Sequence, residues 1–230
     1  MRRIISALAV TAVTAAAAAT LAAATTGTAE AAPPHTPVVF VHGYLNTGVV
    51  WAPARAAFQD AGYKNSELFT YSYDFNASNK VSARGLAAFV EKVKADTGSD
   101  KVDIVNHSMG GMVSLWYVKE LGGASSVARI ASLAGAHHGT YTAGLCSIAF
   151  ASCKEMTPGS DFLNTLTSGD ETPGPVEYRT WYSPCDGVIN PHTSTKLQGA
   201  TNTLLLCEPH FGYLTDSRLL SQVAAFTAAS

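Results

Sequence analysis

The stretch Val102-Asp103-Ile104-Val105-Asn106-His107-Ser108-Met109-Gly110-Gly111 puts a serine where the chain must change direction sharply. An apolar, strand-like run ends at the serine and a helix-like segment follows at once. A hydroxyl on such a strand-to-helix turn is lifted above the end of a sheet, where it can act as a nucleophile. The turn requires small residues two positions either side of the serine. Gly110 satisfies this on one side, while Asn106 stands on the other and must find room and hydrogen-bond partners that a glycine would not need. The plainer reading of the pentapeptide is a serine capping the helix that follows.

A serine hydroxyl is a poor nucleophile until a base takes its proton, and the base works best when a carboxylate fixes its tautomer and stabilises its cation. For a nucleophile on this kind of turn the chain order is serine, acid, histidine. Asp186, in Tyr182-Ser183-Pro184-Cys185-Asp186-Gly187, follows a strand-like run directly, so it falls at the same sheet edge as Ser108 and is the chosen acid. Asp-Gly is also a common turn pair. Asp161 and Asp170 lie in a long loop region, and Asp216 looks like a helix cap. His210, in Cys207-Glu208-Pro209-His210-Phe211-Gly212, precedes the last helix and is the chosen base. His192 is close to Asp186 in sequence and would have to fold back. His107 should point away from the serine hydroxyl, and His137 and His138 are expected beside the cleft without acting as base.

Attack on an acyl carbon creates an oxyanion that needs preset backbone N–H donors. The residue after the nucleophile, Met109, supplies one. Tyr44, in the His42-Gly43-Tyr44 turn after the first strand, supplies the other, with His42 holding that loop by hydrogen bonding.

Positioning these residues is a task for alternating strands and helices. Thr36–Val41 is a continuous apolar run, as in a strand buried on both faces of a parallel sheet. Trp51, Ala54, Ala57, Phe58 and Ala61 recur at helical spacing, with Pro53 in the first turn and Gly62 as the stop. Glu67–Tyr73 reads as a strand, and Ala83, Leu86, Ala87, Val90 and Val93 as one face of a helix. Then come a strand at Val102–Val105, a helix from Met109 to Leu121, and a strand at Ala128–Ala134. Further strands are expected at Val176–Tyr182 and Thr203–Leu206, before a final helix carrying Leu219, Leu220, Val223 and Phe226. This alternation predicts an α/β fold, a mostly parallel sheet with helices on both faces. The segment from His138 to Pro175 reads as a long loop region with one short helix, Asp161–Leu166, bordering the site. Ligands of such sheets bind beyond the carboxyl ends of the strands, where each residue named above lies.

The chain has 230 residues with 15 basic and 17 acidic side chains, so no electrostatic footprint for nucleic acid is present. Met1-Arg2-Arg3, an apolar stretch to Ala24 and the small residues of Ala29-Glu30-Ala31 have the form of a secretory signal, giving a leader over residues 1–31 and a single catalytic domain over 32–230. The expected location is extracellular, with no membrane span in the mature chain. Export places Cys146, Cys153, Cys185 and Cys207 in an oxidising compartment, where an even number reads as disulfides. Of the three possible pairings, Cys146–Cys153 closes a short loop and Cys185–Cys207 ties two late loops, each worth roughly 2 to 4 kcal/mol. No C-x-x-C spacing supports a zinc site.

Taken in order, Val38-Val39-Phe40-Val41-His42-Gly43, the run from Lys101 to Gly111, Tyr182-Ser183 with Asp186, and His210-Phe211-Gly212-Tyr213-Leu214 resemble the small secreted bacterial lipases of the lipase class 2 family, typified by the compact Bacillus type. The likeness spans essentially the mature chain. It implies an α/β-hydrolase fold with six parallel strands and no large cap domain, and a Ser108-Asp186-His210 triad. It further implies oxyanion donors at Tyr44 and Met109, and hydrolysis of acylglycerol esters by a chain with no organic cofactor. Compact members carry alanine at the position of Asn106 and lack both the cysteines and the long insert after His138.

The leading functional expectation is a monomeric carboxylic ester hydrolase acting on lipids at a lipid-water interface. Met109, Leu145, Ile148, Phe150, Val188, Ile189 and Phe211 are candidates for an acyl groove, ordinary core packing being the alternative for any one of them. The same serine chemistry could serve soluble short-chain esters, cutin-like polyesters or acyl transfer. A non-catalytic hydrolase-fold binding protein is the third reading, and it predicts no covalent labelling by an organophosphonate.

Overall fold

A computed structural model describes residues 35–229, and the secretory leader expected at residues 1–31 lies outside them. Six strands form one sheet, all parallel: β1 (Val38–Val41), β2 (Leu68–Tyr71), β3 (Val102–His107), β4 (Val127–Leu133), β5 (Glu177–Tyr182) and β6 (Thr201–Leu204), in the spatial order β2-β1-β3-β4-β5-β6. Strand direction explains the sequence pattern. β1 and β3 are central and buried at every residue, so both sheet faces must be covered and alternation of polar and apolar residues disappears.

The cover is supplied by two helix pairs. α1 (Ala52–Asp60) packs against α6 (Ser217–Ala228), and α2 (Asn79–Thr97) packs against α3 (Gly110–Glu120). Phe40 of β1 meets Trp51 and Phe58 on the α1 side at ring separations of 5.2 Å, and Trp181 of β5 meets Phe226 of α6. Helix ends follow local chemistry: the Ser78 hydroxyl caps α2 at its start, Gly98 in the left-handed region ends it, and Asp216 caps α6. Asp216 is thus occupied at a helix end.

The structure departs from the sequence pattern at two places. The last strand runs over Thr201–Leu204 and not Thr203–Leu206, because the apolar run misplaces an edge strand whose leucines are not core residues: Leu206 is 92 % exposed. The segment after β4 carries a second short helix besides α5 (Asp161–Leu166), namely α4 (Ala151–Met156), preceded by a 3-10 turn at Tyr141–Leu145. Neither has a helical run long enough to register as periodicity. α4 is held instead by its surroundings: Ser152 Oγ donates to Phe75 O, and Glu155 accepts from Ser78 Oγ and Asn79 N.

Candidate active site

Ser108 sits between β3 and α3 with φ of +56°, a left-handed conformation that costs a non-glycine residue on the order of 1–3 kcal/mol. Neighbouring strands supply the constraint. Ser108 N–H donates to Leu133 O, while Ser108 O accepts from Gly111 N and Ala136 N. A Cβ on Gly110 would lie 2.5 Å from Val41 O, and one on Gly43 would lie 2.7 Å from Ser108 Cβ. Both glycines are therefore needed for the β1 loop, the serine and α3 to meet.

Asn106 finds its room behind this turn. It is fully buried, and its Oδ1 accepts a hydrogen bond from Ser132 Oγ at 2.6 Å, whose oxygen lies 2.8 Å from His137 Nε2. With the Ser132 proton committed to Asn106, His137 Nε2–H donates to Ser132. Burial pushes the His137 pKa down to about 3, so the ring is neutral, and it serves as a strut, away from the serine hydroxyl.

Ser108 Oγ lies 3.0 Å from His210 Nε2, and His210 Nδ1 lies 2.9 Å from Asp186 Oδ2 and 3.0 Å from Oδ1. All three residues are buried. The carboxylate only accepts, so Nδ1 carries the proton and the Nε2 lone pair faces the serine. Asp186 Oδ1 also accepts N–H bonds from Val188 at 3.0 Å and Ile189 at 2.6 Å, which fix the carboxylate. Bonds between the two loops add to this: His210 N–H donates to Asp186 O, and Ser183 Oγ, which also accepts from Cys185 N within its own loop, accepts from Glu208 N. Cys185 and Cys207 are bonded across the same junction, and Cys146 is bonded to Cys153.

The other histidines have separate places. His107 Nε2–H donates to His210 O at 2.8 Å, and its ring lies 4.6 Å from that of His210; burial lowers its pKa to about 3. It supports the His210 loop from beneath. His138 bridges Glu171 and Ser194 O, His192 stacks on Tyr182, and His42 Nδ1–H donates to Gly43 O while Nε2 accepts from Tyr73 N. The His42 contacts fasten the loop carrying Tyr44. Neither the Tyr44 nor the Met109 amide donates to an acceptor among the described residues.

Ser108 and His210 open onto an apolar groove of about 420 Å³ lined by Leu145, Val188, Ile189 and Phe211. Of the other groove residues expected from sequence, the Met109 side chain is fully buried, Ile148 stands fully in solvent, and Phe150 packs at 6.5 Å from the Tyr44 ring. Tyr44, Leu45, Ala143 and Met156 line the groove instead. A run of apolar residues in a loop says nothing about which of them turn inward. A larger, more open hollow of about 690 Å³ lies around His138, Glu171 and Lys196, but it contains no activated nucleophile. Among the described residues, no cluster of three or more His, Cys, Asp or Glu side chains is arranged to hold a metal ion.

A parallel sheet carrying a strained serine, a histidine and an aspartate at the carboxyl ends of its strands defines an α/β-hydrolase fold. The chain belongs to the lipase class 2 family, whose model matches residues 35–210. In fold it is similar to the mature lipase BlEst2 of Bacillus licheniformis, at 19 % identity and a TM-score of 0.73 over 86 % of this chain and 94 % of that one. It is also similar to Aspergillus fumigatus lipase B, at 16 % identity and a TM-score of 0.72 over 85 % of this chain and 53 % of that one. Phospholipase PlaB of Legionella pneumophila matches with 13 % identity and a TM-score of 0.69, over 85 % of this chain and 60 % of that one.

Proposed function

We propose that the protein is a secreted, monomeric triacylglycerol lipase that cleaves lipid esters through an acyl-enzyme on Ser108, within one catalytic domain starting near residue 32. The observation that carries this reading is the continuous Ser108–His210–Asp186 hydrogen-bond line, at 3.0 and 2.9 Å, opening onto an apolar groove. His210 Nε2 takes the Ser108 proton as Oγ bonds to the acyl carbon. Asp186 stabilises the resulting imidazolium without taking its proton. The Tyr44 and Met109 amides receive the negative oxygen of the tetrahedral intermediate, each such donor being worth about 3–4 kcal/mol. The imidazolium then protonates the departing alcohol. Water, deprotonated by His210, releases the fatty acid and restores the serine.

Long-chain substrate is favoured by what surrounds the mouth. Leu45, Leu145 and Phe211 line the groove yet are 70 %, 94 % and 61 % exposed, an apolar rim suited to resting on a lipid surface. Secretion is supported by the two disulfides and by the leader-like start of the sequence. Rates on emulsified triolein and on dissolved p-nitrophenyl acetate test the substrate class: faster turnover per titrated site on the emulsion is expected. Hydrolysis of the dissolved ester alone would assign the protein to short-chain esterases.

A further inference from the structure

Two threonine hydroxyls from the segment after β4 converge on one carbonyl beside Asp186. Thr140 Oγ1 donates to Val188 O at 2.6 Å, and Thr142 Oγ1 donates to the same oxygen at 2.8 Å. Thr140 Oγ1 also accepts the Asn190 N–H at 2.9 Å, and Tyr141 N–H donates to Asn190 O at 2.9 Å. The Val188 carbonyl belongs to the same planar peptide unit as the Ile189 N–H, which donates to Asp186 Oδ1. In a trans peptide the C=O and N–H point in opposite directions within one plane, so a clamp on the carbonyl aims the N–H. Bonds to the carbonyl also polarise the unit and strengthen its donation.

The clamp answers a local need. Gly187, just before this peptide, has φ of +73°, so the turn after Asp186 begins at the residue with the widest backbone freedom. Without the hydroxyls, the Val188–Ile189 plane could rotate and leave the buried carboxylate with one fewer fixed donor. Thr140 is itself 1 % exposed, so solvent competes little for its hydroxyl.

We infer that Thr140 and Thr142 are positioning residues for ester hydrolysis, holding the Val188–Ile189 peptide so that it fixes Asp186 against His210. The inference rests on the triad reading above. Both threonines also line the groove, so a change in acyl packing appears in KM, whereas a misaimed carboxylate appears in kcat and in the acid limb of the pH profile. The titratable groups that act on Asp186 and His210, namely His107 and Tyr213, with Glu208 acting on Tyr213, are unchanged in the variants that test this.

The experiment compares Thr140→Val, Thr142→Val and Thr140→Ser in the full chain on dissolved p-nitrophenyl butyrate, each normalised to the sites that react with an organophosphonate. Thr140→Val is expected to lower kcat about tenfold to a hundredfold with KM held within about twofold, and to move the acid limb. Thr142→Val, which leaves one hydroxyl, is expected to lower kcat about threefold, and Thr140→Ser to restore both readings. An unmoved kcat and acid limb in Thr140→Val would overturn the inference, as would a lower Tm with unchanged kcat per labelled site. Should Thr140→Val fail to fold, Thr142→Val decides by the same readings. A wild-type chain that takes up no phosphonate overturns the triad and this role together; a labelled wild type with insensitive threonine variants overturns the positioning role alone.

Discussion

The sheet from β1 to β4 and the chain from Ala134 to Asp216 solve the same problem, fixing a side chain at the edge of the sheet, by different means. In the first region Ser108 is set by regular structure: a buried strand, a left-handed turn and a helix, with Gly43 and Gly110 clearing the way. The second region contains Asp186 and His210 in loops, and fixes them with side-chain hydrogen bonds to backbone, with the Cys185–Cys207 bond, and with His107 beneath. Main-chain ladders position a side chain with few special residues, here two glycines. Loops need named partners, so their precision is spread over more side chains and is easier to lose one piece at a time.

Substitutions in each region should separate the two means of positioning, and the largest effect is expected at Asp186. Asp186→Asn should lower kcat about 10⁴-fold while leaving Tm little changed, because the amide cannot hold the tautomer that faces Ser108. Steady-state kinetics beside calorimetry check this. Equal losses in kcat and stability would show that Asp186 is structural.

Replacing both Cys185 and Cys207 by serine opens a 22-residue separation and should cost about 3 kcal/mol, with activity in mild denaturant lost before the sheet unfolds. The same exchange at Cys146 and Cys153, 7 residues apart, should cost about 2 kcal/mol and leave the hydrolysis of a dissolved ester nearly unchanged. Urea titrations followed by activity and by far-UV dichroism separate the two. Identical activity loss from both exchanges would erase the distinction between the bonds.

Gly110→Ala belongs to the first region and should destabilise by about 1–3 kcal/mol, since its Cβ would meet the backbone oxygens of Val41 and His42. Activity and the sheet should be lost together as denaturant rises, whereas the Cys185–Cys207 exchange loses activity first. An unchanged Tm would mean that the turn has slack.

Per step of the variable scanned, the smallest effect is in pH. Burial holds His107 and His137 at about 3 when folded against 6.5 for an ordinary imidazole, so the unfolded chain takes up protons first as pH falls. Stability from both rings is full above about 6.5 and is lost as pH falls toward 3, with a slope of up to about 1.4 kcal/mol per pH unit for each ring. His107→Gln should remove one of the two slopes in denaturant melts between pH 6 and 4. An unchanged slope would mean that His107 is protonated in the folded state.

How much of this could be read from residue order differs between the two regions for the same reason. Val38–Val41, Val102–Val105 and the spacing of Ala83 to Val93 report burial directly, because strands and helices repeat. That Ser108, Asp186 and His210 come together follows from their order along the chain and their position after strands. Thr140 and Thr142 left no trace, since their partners are backbone atoms and any residue can supply those. The same holds for α4, held by Ser152 and Glu155, and for the groove, whose Leu45 and Met156 are brought in by loop geometry. The apolar Leu204-Leu205-Leu206 run misplaced β6 because it reads as core while two of its side chains face solvent.

The proposed hydrolysis requires an activated Ser108 hydroxyl, and covalent capture reads that state directly. The full chain and a Ser108→Ala variant, treated with a fluorophosphonate and digested for mass spectrometry, should give one adduct on the Ser108 peptide in the first and none in the second. An adduct on another residue, or an unlabelled wild-type chain that is folded by circular dichroism, would contradict it.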